Sequence, residues 1–190
     1  ANRVVNNGKL FDSLGFKTVF LGADYGCHFG GINKLKDNMY EEAHPTSSSE
    51  WLKNILCFLN FNRLVSNYED VKMVVLYNVP FITLLLAKSF FSKKGITVSY
   101  DCTEWSQYTE GSFLKKVFKY IDEFFVRCFA HRVADKMLVI SKMMEKAYKS
   151  NPKLLRLPPL VDVDNSIWHQ KIEKDTRAFT FCFAGFPGGN

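Results

Sequence analysis

Side chains that could bind or activate a hydroxyl group are concentrated in one short segment, residues 101–105 (DCTEW), directly after the apolar stretch 96–100. A carboxylate at such a place can act as a general base toward a hydroxyl. An aromatic plate such as Trp105 suits the apolar CH face of a sugar ring. Asp101 and Glu104 are therefore candidate catalytic residues, and Trp105 is a candidate sugar-binding residue. The other interpretation is that the two acids cap the next turn and the tryptophan only packs.

Two further pairs of polar residues follow apolar stretches in the same way. Tyr77 and Asn78 come after VKMVVL, and Ser141 and Lys142 come after KMLVI. In open α/β sheets, ligands bind beyond the carboxyl ends of the strands. We therefore predict that these four side chains line a binding cleft together with residues 101–105. Ser141 has a second possible role, as the N-cap of a helix.

A glycine-rich turn, Gly185-Phe186-Pro187-Gly188-Gly189, follows the apolar stretch 179–184. Glycines there let backbone N–H groups approach a phosphate at the start of a helix. Gly185, Pro187, Gly188 and Gly189 are thus candidate phosphate-binding residues, and a simple turn is the alternative.

Apolar strands that alternate with amphipathic helices must position these residues. The strands are apolar throughout, which is typical of a parallel sheet covered on both faces. We predict a doubly wound, Rossmann-like α/β domain in which residues 24–45 form a long loop and Gly15 ends the first helix. The predicted strands are 17–23, 71–79, 96–100, 136–140, 154–157 and 179–184, and the predicted helices are 4–14, 51–64, 80–95, 112–134 and one that starts after Ser141.

The chain of 190 residues is basic, with a formal charge of +6, and it contains 18 phenylalanines. Such a surface suits anionic lipid, nucleic acid or phosphorylated substrates. Its basic residues are dispersed and no nucleic-acid-reading motif occurs, so we expect no nucleic-acid partner. The basic helix 112–134 could lie on an anionic membrane. The interpretation we favour instead is an apolar stripe that faces the core, formed by Phe113, Val117, Ile121, Phe124, Phe125, Cys128 and Phe129.

Cysteine and histidine usage points to a reducing compartment. The five cysteines show no CxxC spacing and lie mostly in apolar runs, which favours buried thiols over disulfides or zinc. The four histidines are isolated, so we expect no metal site. The longest apolar run, residues 81–91, is too short to cross a bilayer.

Several motifs in this order resemble the N-terminal half of GT-B glycosyltransferases of family 4, also called group 1. The similar segments are residues 1–22, ITVSYDCTEW at 96–105, RVADKMLVISK running on to LPPLVDVD at 132–164, and FCFAGFPGGN at 181–190. The resemblance implies transfer of a sugar from a nucleotide-sugar to an acceptor hydroxyl of a glycan or lipid-linked intermediate. It also implies an enzyme that needs no metal and no cofactor besides the nucleotide-sugar. From the buried thiols we expect a cytoplasmic protein, with peripheral contact at the inner face of the membrane if the basic helix 112–134 binds lipid.

The resemblance also implies a domain organisation. Residues 1–157 would form the acceptor-binding domain, 158–177 an interdomain linker, and 178–190 the start of a donor-binding domain whose glycines approach the donor phosphates. The family often places histidine where this chain has Asp101. We expect a strand and a glycine-rich turn before Ala1 and the rest of the donor domain after Asn190, so this segment alone would not catalyse transfer.

Two other hypotheses stay open. One is a non-catalytic α/β binding module or subunit that needs a separate donor-domain partner. The other is a different nucleotide-binding α/β enzyme, in which nicotinamide or adenosine nucleotides rather than glycans would stabilise the fold.

Overall fold

The computed structural model describes residues 2–24, 31–36, 39–45, 68–105 and 113–160. The chain divides into two units, Ala1–Leu160 and Val161–Asn190. The second unit lies outside the described residues, and with it the predicted strand 179–184, the start of the donor domain and most of the predicted linker. The predicted helix 51–64 also lies outside them.

The first part of the unit contains a helix and a small mixed sheet. Helix α1 (Asn2–Ser13) is followed by β1 (Thr18–Asp24), β2 (Gly31–Lys36) and β3 (Met39–Pro45). The strand order is β1-β3-β2, with β3 parallel to β1 and antiparallel to β2.

The predicted loop at 24–45 is therefore wrong, because β2 and β3 lie within it. The sequences of these two strands, GINKLK and MYEEAHP, do not alternate regularly between apolar and polar residues. The two strands arise from backbone pairing with each other and with β1, which overrides the weak local preference.

The second part of the unit is a four-stranded, all-parallel sheet flanked by helices, in the order β4-β5-β6-β7. The α/β prediction is confirmed at this level. The elements are β4 (Met73–Tyr77), α2 (Phe81–Ser92), β5 (Thr97–Cys102), α3 (Phe113–Val133), β6 (Lys136–Val139), α4 (Lys142–Ala147) and β7 (Leu154–Arg156).

The core of this sheet forms where α2 and α3 cover the central strands. Continuous apolar strands are buried on both faces, as expected for parallel pairing. Phe81 of α2 stacks on Phe125 of α3 with ring centroids 5.5 Å apart. The fully buried apolar side chains include Leu84, Ala87, Phe91, Val98, Cys102, Ala130, Met137, Val139 and Tyr148.

The predicted core-facing stripe of α3 is wrong. Val126 and Ala130 make its buried contacts. Five members of the predicted stripe are instead exposed, and Cys128 and Phe129 are only half-buried; the exposed members are Phe113, Val117, Ile121, Phe124 and Phe125. Helical spacing predicts that one face is apolar but not which of two apolar faces the sheet covers. Within the described residues, no helix has the length and apolar character needed to cross a bilayer.

Glycine ends two of the helices through the same motif. After α1, the N–H of Gly15 donates to Asp12 O at 2.9 Å and that of Phe16 to Phe11 O at 3.0 Å. After α2, the N–H groups of Gly95 and Ile96 make the equivalent bonds. Both glycines have positive φ, +83° and +71°, which residues with a side chain adopt only at a cost.

The Gly95→Ala variant should lose about 1 kcal/mol of unfolding free energy. A Cβ at Gly95 would meet no atom within 4 Å, so the loss would come from the backbone conformation alone. Urea denaturation measures it. The matched control is Lys93→Ala, two residues earlier at φ −66°, which should change stability little. Equal losses in both variants would contradict this explanation.

Candidate functional site

The ends of β4 and β5 are joined by a short hydrogen-bond network at the carboxyl edge of the parallel sheet. Asn78 has a left-handed backbone, φ +46°, and its N–H donates to Asp101 O at 3.1 Å. The N–H of Thr103 donates to Asn78 Oδ1 at 2.9 Å, and Asn78 Nδ2 donates to Thr103 Oγ1. Thr103 Oγ1 in turn donates to the Tyr77 hydroxyl at 3.4 Å. We call Asn78 and Thr103 the strand-end latch.

A recess of about 90 Å³ opens beside the latch. It would hold several waters, but it is smaller than the pockets that enclose a whole small molecule. It therefore fits an edge of a ligand, such as a few hydroxyl groups. The lining residues are Asn78, Val79, Tyr100, Glu104, Asp122, Glu123 and Val126.

Carboxylates dominate the recess. Glu104 is exposed. Glu123 accepts a hydrogen bond from Arg127 Nε at 2.8 Å. Asp122 Oδ1 accepts the Phe81 N–H at 2.8 Å, at the start of α2. Burial raises the pKa of Asp122, and the nearby charge of Glu123 adds to this, outweighing the Phe81 N–H.

Tyr100 closes the floor of the recess. Its hydroxyl donates to Val79 O at 3.1 Å. Burial raises the pKa of Tyr100 well above its usual range, so its hydroxyl stays protonated and a hydrogen-bond donor near neutral pH.

Asp101 lies in a different environment from Glu104, although the sequence grouped them as catalytic candidates. Its side chain is 1% exposed, and Arg3 of α1 binds both of its oxygens, with Nη2–Oδ1 at 2.8 Å and Nε–Oδ2 at 3.1 Å. Asn7 Nδ2 also donates to Oδ2, at 3.2 Å. Asp101 does not line the recess. Its oxygens are engaged in fixing α1 to the end of β5.

Trp105 is packed from two sides. Its Nε1 donates to the Tyr148 hydroxyl at 2.9 Å, and the Arg127 guanidinium lies 4.8 Å from the ring centroid. A sugar could stack on the face that Arg127 occupies only if Arg127 moved. Burial raises the pKa of the neighbouring Cys102 thiol to about 12, so this thiol is inert.

The remaining predicted residues have four different outcomes. Tyr77 is exposed at the latch. Ser141 caps α4, accepting the Met144 N–H at 3.2 Å, which confirms its capping role. Lys142 is exposed and does not line the recess. The predicted phosphate-binding residues Gly185, Pro187, Gly188 and Gly189 lie outside the described residues.

Sequence reasoning missed the residues that come from distant elements. Arg3 and Asn7 reach Asp101 from more than 90 positions away, a pairing that no local pattern encodes. Asp122 and Glu123 carried a usable signal, since they are two acids in an otherwise basic helix.

A larger groove, about 270 Å³, lies at the opposite, amino-terminal edge of the sheet, with Lys88, Asp135, Lys136 and Lys153 in its lining. Burial alone would raise the pKa of Asp135, but the Lys88 ammonium and the Val98 N–H hold it below its usual value. This groove is open and its Asp135 is paired with Lys88. We place the candidate site at the carboxyl edge, where ligands of parallel sheets bind.

Arg3→Met should lower the unfolding free energy by about 3 kcal/mol or more, because it leaves a buried carboxylate unpaired. The matched control is Lys72→Met, which breaks the exposed Lys72–Asp70 pair and should cost about 0.5 kcal/mol or less. The double variant Arg3→Met with Asp101→Asn should recover part of the loss in urea denaturation. A loss no larger than that of the control would contradict the role given to this pair.

The pKa values of Asp122 and Asp135 are shifted in opposite directions, so the two residues should change the free energy of unfolding with pH in opposite ways. Asp122 keeps its proton more readily when folded, so wild-type stability should fall relative to Asp122→Asn as pH rises above 3.8. Asp135 releases its proton more readily when folded, so wild-type stability should rise relative to Asp135→Asn as pH rises toward 3.8. Urea denaturation over a pH series measures both differences. Parallel curves for wild type and Asp122→Asn would contradict the first assignment.

No protein-family model matches the chain, and no curated protein sequence matches it either. The structure shows an α/β unit with a four-stranded parallel sheet and a carboxylate-lined recess at the carboxyl edge of that sheet.

Proposed function

We propose that this chain is the acceptor-binding part of a glycosyltransferase of the GT-B type, with a Rossmann-like, doubly wound N-terminal domain. The full enzyme would transfer a sugar from a nucleotide-sugar to a hydroxyl of a glycan or lipid-linked acceptor. The observation that carries the proposal is the exposed Glu104 carboxylate in a polar recess beyond the ends of β4 and β5. The motif resemblance described above supports the same reaction class.

Carboxylates suit a polyhydroxyl ligand because each oxygen accepts hydrogen bonds from hydroxyl groups. Glu104 is the group we assign to the reacting hydroxyl, where it can accept the proton as the new glycosidic bond forms. Asp122 and Glu123 lie in the same recess and would orient neighbouring hydroxyls. The latch residues Asn78 and Thr103 hold the segment that carries Glu104.

Asp101 is a positioning residue in this proposal. Both of its oxygens bind Arg3, so a proton transferred to it would have to break a buried ion pair. The Arg3 Nη1 also donates to Leu157 O at 2.8 Å. The same contacts that hold α1 therefore also hold the start of the segment that leaves the sheet after β7.

Trp105 follows Glu104 but does not line the recess, and the Arg127 guanidinium lies over its ring. It would contact the acceptor only after Arg127 has moved off the ring. Displacement of Arg127 by a sugar ring would exchange a cation–π contact for a CH–π stack. Arg127 could then keep its ion pair with Glu123 or contact an anionic group on the acceptor. This arrangement favours an acceptor that carries a phosphate close to its sugar.

The recess fits only an edge of a ligand, as expected of an acceptor-binding part alone. Binding of the nucleotide-sugar phosphates would need a donor-binding domain, whose phosphate-binding turn we propose at Gly185, Pro187, Gly188 and Gly189. A cytoplasmic location, where nucleotide-sugars are made available, agrees with the unpaired thiols of Cys102 and Cys128.

Glycosyl transfer by the protein that carries this chain tests the proposal, using labelled nucleotide-sugars and a panel of glycans and lipid-linked saccharides. Glu104→Gln should lower kcat about 100-fold or more, with little change in melting temperature because Glu104 is exposed. The matched control is Glu69→Gln, an exposed acid that precedes β4 at the opposite edge of the sheet.

Glycan binding without transfer from any nucleotide-sugar would favour the non-catalytic binding module. Stabilisation by nicotinamide or adenosine nucleotides, with none by glycans or nucleotide-sugars, would favour a different α/β enzyme. Transfer that Glu104→Gln leaves unchanged would contradict the role of Glu104.

A further inference from the structure

Helix α3 has two apolar faces, and the sheet covers only one of them. The buried face carries Val126 and Ala130. The opposite side carries five large apolar residues at helical spacing i, i+4, i+7, i+8 and i+11, which we call the exposed stripe: Phe113, Val117, Tyr120, Ile121 and Phe124.

The exposure of this stripe is too large and too continuous for scattered surface residues. Phe113 is 80% exposed, Tyr120 74% and Phe124 53%, and Phe118 beside the stripe is 67% exposed. Single exposed hydrophobic residues are normal, whereas a contiguous apolar patch marks an interaction site. From Phe113 to Phe124 the stripe extends about 17 Å along the helix.

The charges of α3 are sorted around the stripe. The two acids are turned inward, since Asp122 accepts the Phe81 N–H and Glu123 pairs with Arg127. Lys116 and Arg132 are exposed. Helical spacing places Lys116 at one border of the stripe and Arg132 on the other side, two turns beyond Phe124, where its guanidinium lies 5.9 Å from the Phe129 ring centroid. The outer surface of α3 is therefore aromatic along its centre and basic at its borders.

We propose that the exposed stripe of α3 docks on an anionic lipid surface. A helix that lies in a membrane interface buries aromatic and aliphatic side chains among the headgroups, while flanking lysine and arginine residues attract anionic lipids. The three large aromatic side chains of the stripe, Phe113, Tyr120 and Phe124, would enter the interface, and Lys116 and Arg132 would contact the headgroups. The helix would lie along the surface without crossing the bilayer.

Charge favours lipid over a second copy of the chain. Two stripes packed face to face would bring the basic flanks of both helices together at the same border. Like charges held that closely oppose association. An anionic surface instead complements both flanks at once, and the formal charge of +6 over the whole chain adds to the attraction.

Vesicle sedimentation tests the proposal directly, with phosphatidylglycerol–phosphatidylcholine vesicles compared with pure phosphatidylcholine. The wild-type chain should sediment with the anionic vesicles and not with the neutral ones. Binding should weaken as salt rises from about 0.1 M to about 1 M, which shortens the screening length from about 10 Å to about 3 Å.

The variant Phe113→Ser with Phe124→Ser should bind the anionic vesicles at least about tenfold more weakly than the wild-type chain. Its matched control is Phe16→Ser with Met143→Ser, which removes two apolar side chains that are 50% and 63% exposed on other elements and should bind like wild type. A Tyr120→Trp variant gives a positional readout, because Tyr120 lies on the stripe and brominated lipid should quench the added tryptophan fluorescence if the stripe enters the interface.

Several results would overturn the proposal. Equal binding to neutral and anionic vesicles would show that anionic lipid is not the preferred partner. Equal losses of binding in the two double variants would show that the stripe is not the docking surface. Unchanged fluorescence of Tyr120→Trp with brominated lipid would place the stripe outside the interface. A lipid-free dimer in sedimentation velocity that Phe113→Ser with Phe124→Ser dissociates would assign the stripe to a second copy. None of these readouts depends on glycosyl transfer, so the two proposals fail independently.

Discussion

The Arg3–Asp101 ion pair is the contact on which the arrangement of the described unit depends. Asp101 stands at the carboxyl end of β5 and is 1% exposed, so its charge is tolerated only because Arg3 and Asn7 bind both oxygens. The same arginine holds Leu157 O, and the neighbouring Asn6 holds Leu160 O at 2.7 Å. One buried carboxylate thereby joins the first helix, the central sheet and the segment after the last described strand.

This constraint separates two carboxylates that are close in sequence but differ in use. Asp101 has a structural role, since its contacts with α1 hold the end of β5 in place. Three residues later the chain has left the sheet, and Glu104 lies exposed in a recess that Asn78 and Thr103 define. A parallel sheet places such strand ends side by side, which gives a polar site without requiring any of its residues to be adjacent along the chain.

The parts of this structure that sequence predicts well are those with local causes. The capping role of Ser141 and the helix end at Gly15 follow from chemistry within a few residues. The parallel sheet follows from strands that are apolar throughout. The partner of Asp101 and the strands β2 and β3 do not, because they depend on contacts distant in sequence. The apolar pattern of α3 is visible in the sequence, but only packing against the sheet and α2 decides which side of the helix is buried.

Chemical-shift mapping tests the central claim, that the carboxyl edge of the sheet binds the hydroxyl groups of an acceptor. Isotope-labelled chain would be titrated with a series of glycosides and sugar phosphates while backbone amide signals are followed. The account predicts saturable shifts at Asn78, Thr103 and Glu104 that Glu104→Gln abolishes. Shifts confined to the groove near Lys88 and Asp135 at the other edge, or no shift with any of these sugars, would contradict it.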